Sequence, residues 1–242
     1  MSLLNKAGKL LKILGLKDVL LLKALGLRVA ASTEHSDVLR QLSCKSIIDI
    51  GANRGQFSLI ARHFSPQAII HSFEPLPNAA ELFRKVFQND RGVYLHNLAI
   101  GPSEGTFDMH ISARDDSSSL LPISNLQSTI FPGTNETGKL RVKVAPLQSI
   151  ISENDIESPA LLKLDVQGFE LEALKGCEGL LPQFDWIYCE CSFVELYSGQ
   201  SMAADVIDWL FKKGFRLKGV YNTSYGKDKW AVQADLLFRR ET

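Results

Sequence analysis

The stretch SIIDIGANRGQFSLIARHF, residues 46–64, constrains the fold more than any other. Its apolar, β-prone start ends in an acid, turns through Gly51 and Gly55, and continues with the apolar spacing of a helix. A buried strand that passes through a glycine turn into a helix is the opening unit of an open α/β sheet. Such turns hold phosphates, dinucleotides or nucleoside cofactors, and residues further along the chain must separate these cases.

The chain keeps that rhythm. Ser46–Ile50, Gln67–Phe73 and Gly92–Leu98 read as strands, with helices over Gln56–Phe64 and Asn78–Gln88 between them. Residues 101–140 break it. They are rich in Ser, Thr, Gly, Asn and Pro, hold one alternating run at Gly105–Ile111, and read as a hairpin followed by a long irregular loop. The rhythm resumes with strands at Leu140–Ala145, Ala160–Leu164 and Trp186–Cys191, a helical turn at Leu147–Ile151, and helices at Glu170–Lys175 and Met202–Lys213. Phe215–Tyr221 and Val232–Arg239 close the chain as an antiparallel pair at the sheet edge. The expected fold is a Rossmann-like α/β domain over residues 41–242, a mostly parallel seven-stranded sheet with helices on both faces.

Residues 1–40 read as a helical extension. Within residues 1–30, Lys6, Lys9, Lys12, Lys17, Lys23 and Arg28 stand against one acid, Asp18, in a leucine-rich background broken near Gly15. Two readings stay open: a helical lid on the main domain with its lysines in water, or a peripheral membrane contact. Across the whole chain, 27 Lys plus Arg balance 27 Asp plus Glu, which argues against a nucleic-acid partner held by bulk charge. The four cysteines show no CxxC spacing, so a zinc site or disulfide framework is not expected. No apolar run reaches the length of a membrane span, and the lysine-studded N-terminus is unlike a secretory signal. The expected location is the cytoplasm, with membrane contact confined to residues 1–30.

A dinucleotide fingerprint G-x-G-x-x-G fails here, because Asn53 and Gln56 stand where its second and third glycines belong. A phosphate loop fails for want of its Lys-Ser/Thr. An NAD-dependent oxidoreductase would share Gly51 and the next acid but not the missing glycines. That acid is Glu74, in SFEPLPNAAELF, 23 residues after Gly51 at the end of the following strand. It is placed to accept both hydroxyls of a ribose. At the third strand end, Asn97 and Ala99 would border the base, with Asn97 either offering its amide to the ring or capping a turn.

DIGANRGQFS, HSFEPLPNAAELF, NLAIG, the Ser-rich DDSSS and LLKLDVQGFELEALKG occur in that order. Together they resemble the FkbM family of S-adenosylmethionine-dependent methyltransferases, over about residues 45–240. The resemblance implies a class I methyltransferase fold, S-adenosylmethionine as cofactor, and O-methylation of a sugar or glycoconjugate, or of a small natural product. On this reading Asp49, Gly51, Asn53, Gly55, Phe57, Glu74, Asn97 and Ala99 frame the cofactor. Ser117, Ser118 and Ser119 match the family's Ser-rich position, while Gln167 stands where Glu is the more usual residue.

Methyl transfer to oxygen needs a hydroxyl held in line, its proton removed and water excluded. Asp165 follows the buried run Leu161–Leu164 and is the leading candidate to orient or deprotonate the acceptor; it would equally serve as a helix cap. Lys163 shares its face of the strand. Glu190, in WIYCECSF, supplies a second cleft carboxylate, and the two acids are too few for a metal site, so none is assigned. His110 is the alternative base, with His96 near the same cleft; His35, His63 and His71 read as structural. The loop Arg114–Lys139 reads as a cover over the acceptor. A non-catalytic nucleoside-binding module would keep the cofactor frame without needing Asp165.

Overall fold

The computed structural model describes residues 3–241, with side chains from Ala7 onward. Met1, Ser2, Thr242 and the side chain of Lys6, part of the basic stretch, lie outside the described residues. Three helices, α1 (Leu3–Gly15), α2 (Val19–Gly26) and α3 (Ser36–Leu42), precede β1 (Ser46–Ile50), α4 (Gln56–Phe64), β2 (Ile69–Phe73), α5 (Pro77–Val86) and β3 (Val93–His96). Next come β4 (Ala99–Ile100), β5 (Gly105–Ser112), α6 (Asn125–Ile130) and β6 (Glu136–Ala145). The chain closes with β7 (Ala160–Leu164), α7 (Glu170–Gly176), β8 (Trp186–Ser192), α8 (Ala203–Lys212), β9 (Phe215–Tyr225) and β10 (Ala231–Arg240).

Seven strands form one sheet in the order β3-β2-β1-β7-β8-β10-β9, parallel from β3 to β8, with β10 antiparallel to both neighbours. β1 and β7 are buried at every position, as central strands covered on both faces must be. The sheet grows from β1 through β2 to β3, then the chain crosses back to β7 on the other side of β1. That reversal opens a crevice above the C-terminal ends of β1 and β7.

Leu140–Ala145 does not continue the parallel rhythm, as its sequence led us to expect. It belongs to a second sheet, β4-β6-β5, in which β6 is antiparallel to β5. The reason is legible in β6 itself: it alternates buried and exposed toward its end, the mark of a half-covered strand, whereas β1 and β7 are buried throughout. Met109, Val142 and Val144 of this sheet pack on Leu76 and Ala79 at the start of α5. The segment read as an irregular loop contains α6, whose start is capped by Ser124 Oγ accepting from Gln127 N.

The N-terminal helices share a core with the main sheet. Ile13, Leu21, Ala24 and Leu39 pack with Ile47, Phe57 and Ile60. Asp18 caps α2 and meets His63 Nδ1 at 2.7 Å. The opposite side of α1 and α2 is left uncovered: Leu11 is 69% exposed and Val19 65%, beside exposed Leu10, Leu14 and Leu22. Among the described residues no helix is long and apolar enough to cross a membrane. All four cysteines are buried free thiols.

Candidate active site

A cleft of about 910 Å³ lies over the crevice between β1 and β7. Its floor begins at the glycine turn. Gly51 has φ +79°, and a Cβ there would stand 1.9 Å from the Asp165 carbonyl oxygen, so β1 and β7 approach this closely only with glycine. Asn53, at φ +47°, lines the cleft and donates its backbone N–H to Glu74 Oε2 at 2.8 Å. Glu74 Oε1 accepts from Leu76 N at 2.7 Å. Burial pushes the Glu74 pKa up to about 7, against the pull of those two N–H groups and of Lys163. Beyond Glu74, Leu76, Met109 and Leu120 line an apolar slot next to Ala99.

Sheet register puts a polar row beneath the turn. Ser72, Asp49, Lys163 and Tyr188 are successive partners across β2, β1, β7 and β8. Lys163 Nζ sits 3.0 Å from Asp49 Oδ1 and 3.2 Å from the Gly51 carbonyl, and 5.3 Å above the Phe57 ring centroid. Burial alone would lower its pKa; the carboxylates of Asp49 and Asp165 more than offset this and hold the ammonium above its ordinary range. Ser58 of α4 donates to Asp49 Oδ2 at 2.7 Å. Asp49 thus anchors Lys163 under the turn and is not part of the cleft lining.

The other half of the cleft is strongly polar. Asp165 stands at the end of β7 with its side chain 40% exposed. Gln167 Nε2 donates to Asp165 Oδ1 at 2.7 Å and to Glu190 Oε2 at 3.1 Å, so one amide bridges the two carboxylates. Tyr197 O–H, donating to Gln167 Oε1 at 2.7 Å, fixes that amide's orientation. A Glu at position 167 would offer a third carboxylate where this chain offers an N–H donor. Gln233 Nε2 donates to Glu190 Oε1 at 2.6 Å. Burial, then Asp165 and Asp235, push the Glu190 pKa well above the carboxylate range.

Several expected residues lie elsewhere. His110 is outside the cleft lining, its Nδ1 bonded to Glu136 Oε2 at 2.8 Å; side chains alternate along β5, and it is the preceding Met109 that lines the cleft. His96 stacks on Phe73 and pairs with His71, again outside the cleft. Asn97 turns its amide to the carbonyls of Glu74 and Pro75 at 2.7 and 3.1 Å, bracing the strand end instead of facing the cleft. Gly55 is also outside the lining; its φ is +89°, and a Cβ there would meet the Phe87 ring at 2.6 Å, so it serves helix packing. Gly51, Asn53, Phe57, Glu74, Ala99, Asp165 and Glu190 do line the cleft.

The Ser-rich loop is held down firmly. Ser119 Oγ donates to the Gln167 carbonyl at 2.6 Å, Ser118 Oγ accepts from Ser112 N, and Arg54 pairs with Asp115 across the cleft edge. Glu170 accepts from Val166 and Gly168 N and so braces the loop after β7.

Among the polar cleft residues, sequence reasoning missed His35, Asn222, Gln233 and Asp235. One signal was available, since Gln233 and Asp235 interrupt an otherwise apolar run in AVQADLLF.

A buried strand-end carboxylate for a diol, an apolar slot for a flat ring and a glycine turn are the contacts an adenosyl cofactor needs, and the residues present fit it. With a seven-stranded sheet reversed at β1 and β7, they define a class I methyltransferase. More narrowly, the chain belongs to the FkbM methyltransferase family: residues 49–217 match the Methyltransferase FkbM domain. It is an S-adenosylmethionine-dependent methyltransferase. It is 30% identical to the 2-O-methyltransferase NoeI of Sinorhizobium fredii, over 68% of this chain and 70% of the relative. It is 24% identical to the 31-O-demethyl-FK506 methyltransferase FkbM of Streptomyces tacrolimicus, over 70% of this chain and 72% of that one. In fold it is similar to the methyltransferase FkbM from Methylobacillus flagellatus, at a TM-score of 0.52 and 14% identity. That match takes in 80% of this chain but 44% of the longer one.

Proposed function

We propose that the protein methylates a hydroxyl oxygen of a sugar or glycoconjugate, with a small natural-product alcohol as the second choice. The observation that carries this reading is the composition of the cleft beyond the cofactor half. Asp165, Glu190, Gln233, Asn222 and Asp235 converge there, a set suited to several hydroxyls at once. The names of two relatives, a 2-O-methyltransferase and a 31-O-demethyl-FK506 methyltransferase, support oxygen as the methylated atom. Bound over Gly51 and Glu74, S-adenosylmethionine supplies an electrophilic methyl group. Glu74 accepts the ribose hydroxyls, Phe57 closes the floor, and the Ser117–Ser119 loop excludes water. Asp165, exposed and pinned by Gln167, orients the acceptor hydroxyl. Labelled S-adenosylmethionine incubated with methyl hexopyranosides, a macrolide alcohol and a primary amine tests this. Ether-linked label on the glycosides is expected, and label on the amine alone contradicts it.

We also propose that the cleft mouth meets an anionic lipid surface, which favours a membrane-borne acceptor. Exposed Leu10, Leu11, Leu14, Val19 and Leu22 stand beside exposed Lys12, Lys17, Lys23 and Arg28, a complement to apolar chains under negative headgroups. Lys9, Leu10, Ile13 and Arg28 of the same segment line the cleft. The full chain is expected to sediment with phosphatidylglycerol vesicles and not with phosphatidylcholine alone, and Leu11→Glu with Val19→Glu to abolish it. Equal sedimentation with both lipids, or none with either, would end the idea.

A further inference from the structure

The sequence left His35 in a linker, yet the fold seats it in the polar half of the cleft. It ends a helical turn, Thr33–His35, just before α3. Ser32 N donates to the Gln56 carbonyl at 2.9 Å, which ties this turn to the start of α4. The imidazole stands edge-on to Phe57 at 5.3 Å and to Tyr188 at 5.6 Å between ring centroids.

Its two nitrogens differ. Nδ1 lies 3.1 Å from Tyr188 Oη, 3.2 Å from Asn222 Nδ2 and 3.5 Å from Asp235 Oδ2. Tyr188 donates its own proton to Asp235 Oδ2 at 3.0 Å, and Asn222 Nδ2 donates to the same oxygen at 2.8 Å. Asn222 Nδ2 also donates to Tyr188 Oη at 3.2 Å, which uses its second hydrogen, so Nδ1 is left to Tyr188 Oη; that oxygen, its proton committed to Asp235, is the acceptor for a proton on Nδ1. That relay selects the tautomer with hydrogen on Nδ1 and a lone pair on Nε2. Nε2 has no hydrogen-bond partner among the described residues and is not sealed from solvent, in a residue that lines the cleft.

The geometry points to His35 as the general base of the methyl transfer, its Nε2 taking the acceptor's hydroxyl proton, with Tyr188 and Asp235 as positioning residues. This rests on the O-methylation reading above. The acceptor oxygen gains the methyl and gives its proton to Nε2, while the bonding pair of the broken carbon–sulfur bond stays on sulfur; no further reactant is needed. The neighbouring carboxyl groups are less free to take that proton. Asp165 already accepts from Gln167 and lies 4.0 Å from the Lys163 ammonium, and Glu190 receives an amide N–H on each oxygen. Burial lowers the His35 pKa, against the pull of Asp235, Glu34 and Asp165 and with the help of Lys163, so the ring is neutral at neutral pH.

The test uses the full chain labelled with 15N-histidine and saturated with S-adenosylhomocysteine. Long-range 1H–15N NMR at pH 7.5, with the His35 signal assigned by its loss in His35→Asn, should show Nδ1 protonated and Nε2 bare. Asp235→Asn removes a group that raises the His35 pKa, so its titration midpoint should move to lower pH. His35→Asn should keep its calorimetric affinity for S-adenosylhomocysteine. Its turnover on methyl hexopyranosides should fall at least about 100-fold, with part restored by free imidazole. A proton on Nε2, a charged ring at pH 7.5, or turnover within about threefold of the parent refutes the assignment. The NMR result needs no acceptor and decides alone if no glycoside is turned over. Failure of the parent to bind S-adenosylhomocysteine refutes the methyltransferase reading itself, and the inference with it.

Discussion

Replacing Lys163 with Met removes the cation from a buried pair and leaves Asp49 facing it with no charge partner. The two charges are 3.0 Å apart, with side-chain exposures of 5% and 0%. At an effective dielectric of about 20, that separation corresponds to about 5 to 6 kcal/mol of attraction. Desolvation has already consumed much of it, so the measurable loss on breaking the pair is about 3 to 5 kcal/mol. Met retains most of the Lys stem, so packing changes little. Removing both partners should behave differently. In Lys163→Met with Asp49→Leu neither charge of the pair remains, and Ser58 keeps Ser72 Oγ at 3.0 Å as a partner. The double variant is therefore expected within about 2 kcal/mol of the parent, more stable than the single one. Equilibrium urea unfolding followed by circular dichroism measures all members of the cycle. A loss below about 1 kcal/mol for Lys163→Met, or a double variant as damaged as the single, refutes the reasoning.

Gly51→Ala should abolish cofactor binding and cost at least about 3 kcal/mol, because its Cβ collides with the Asp165 carbonyl at a φ that L residues avoid; calorimetry and urea unfolding read both effects. Glu74 gives a pH signature. Its pKa is raised to about 7, and ribose hydroxyls donate to the ionised form, so affinity holds above pH 7 and falls as pH drops through it. S-adenosylhomocysteine should bind about tenfold more weakly at pH 6 than at pH 8. The dependence should vanish in Glu74→Gln, and an identical slope in that variant removes Glu74 from the site.

The sequence made the cofactor half legible because its determinants are local. The turn through Gly51, the strand-end Glu74 and the apolar runs of β1 and β7 each occupy a few consecutive residues, where hydrophobic period and turn chemistry act directly. The acceptor half is assembled from chain segments far apart. His35 precedes β1, Tyr188 and Glu190 sit on β8, Asn222 on β9 and Asp235 on β10. Strand register, such as Asp235 opposite Glu190, brings the strand residues together, and the turn tied to the start of α4 brings His35 to them. His110 misled because sequence proximity to the Ser-rich loop did not reveal which face of β5 meets the cleft, the face of Met109 and not that of His110. Asn97 was correctly placed at the end of β3, but the sequence could not reveal that its amide would close on Glu74 and Pro75.

S-adenosylmethionine is expected in the cleft over Gly51 and Glu74. Calorimetric titration of the full chain with S-adenosylmethionine, S-adenosylhomocysteine and NADH, with Glu74→Ala alongside, tests this most directly. Binding of the two adenosyl sulfur compounds, no binding of NADH, and loss of both in Glu74→Ala is the predicted result. Binding of NADH alone, or undiminished S-adenosylmethionine binding in Glu74→Ala, would contradict it.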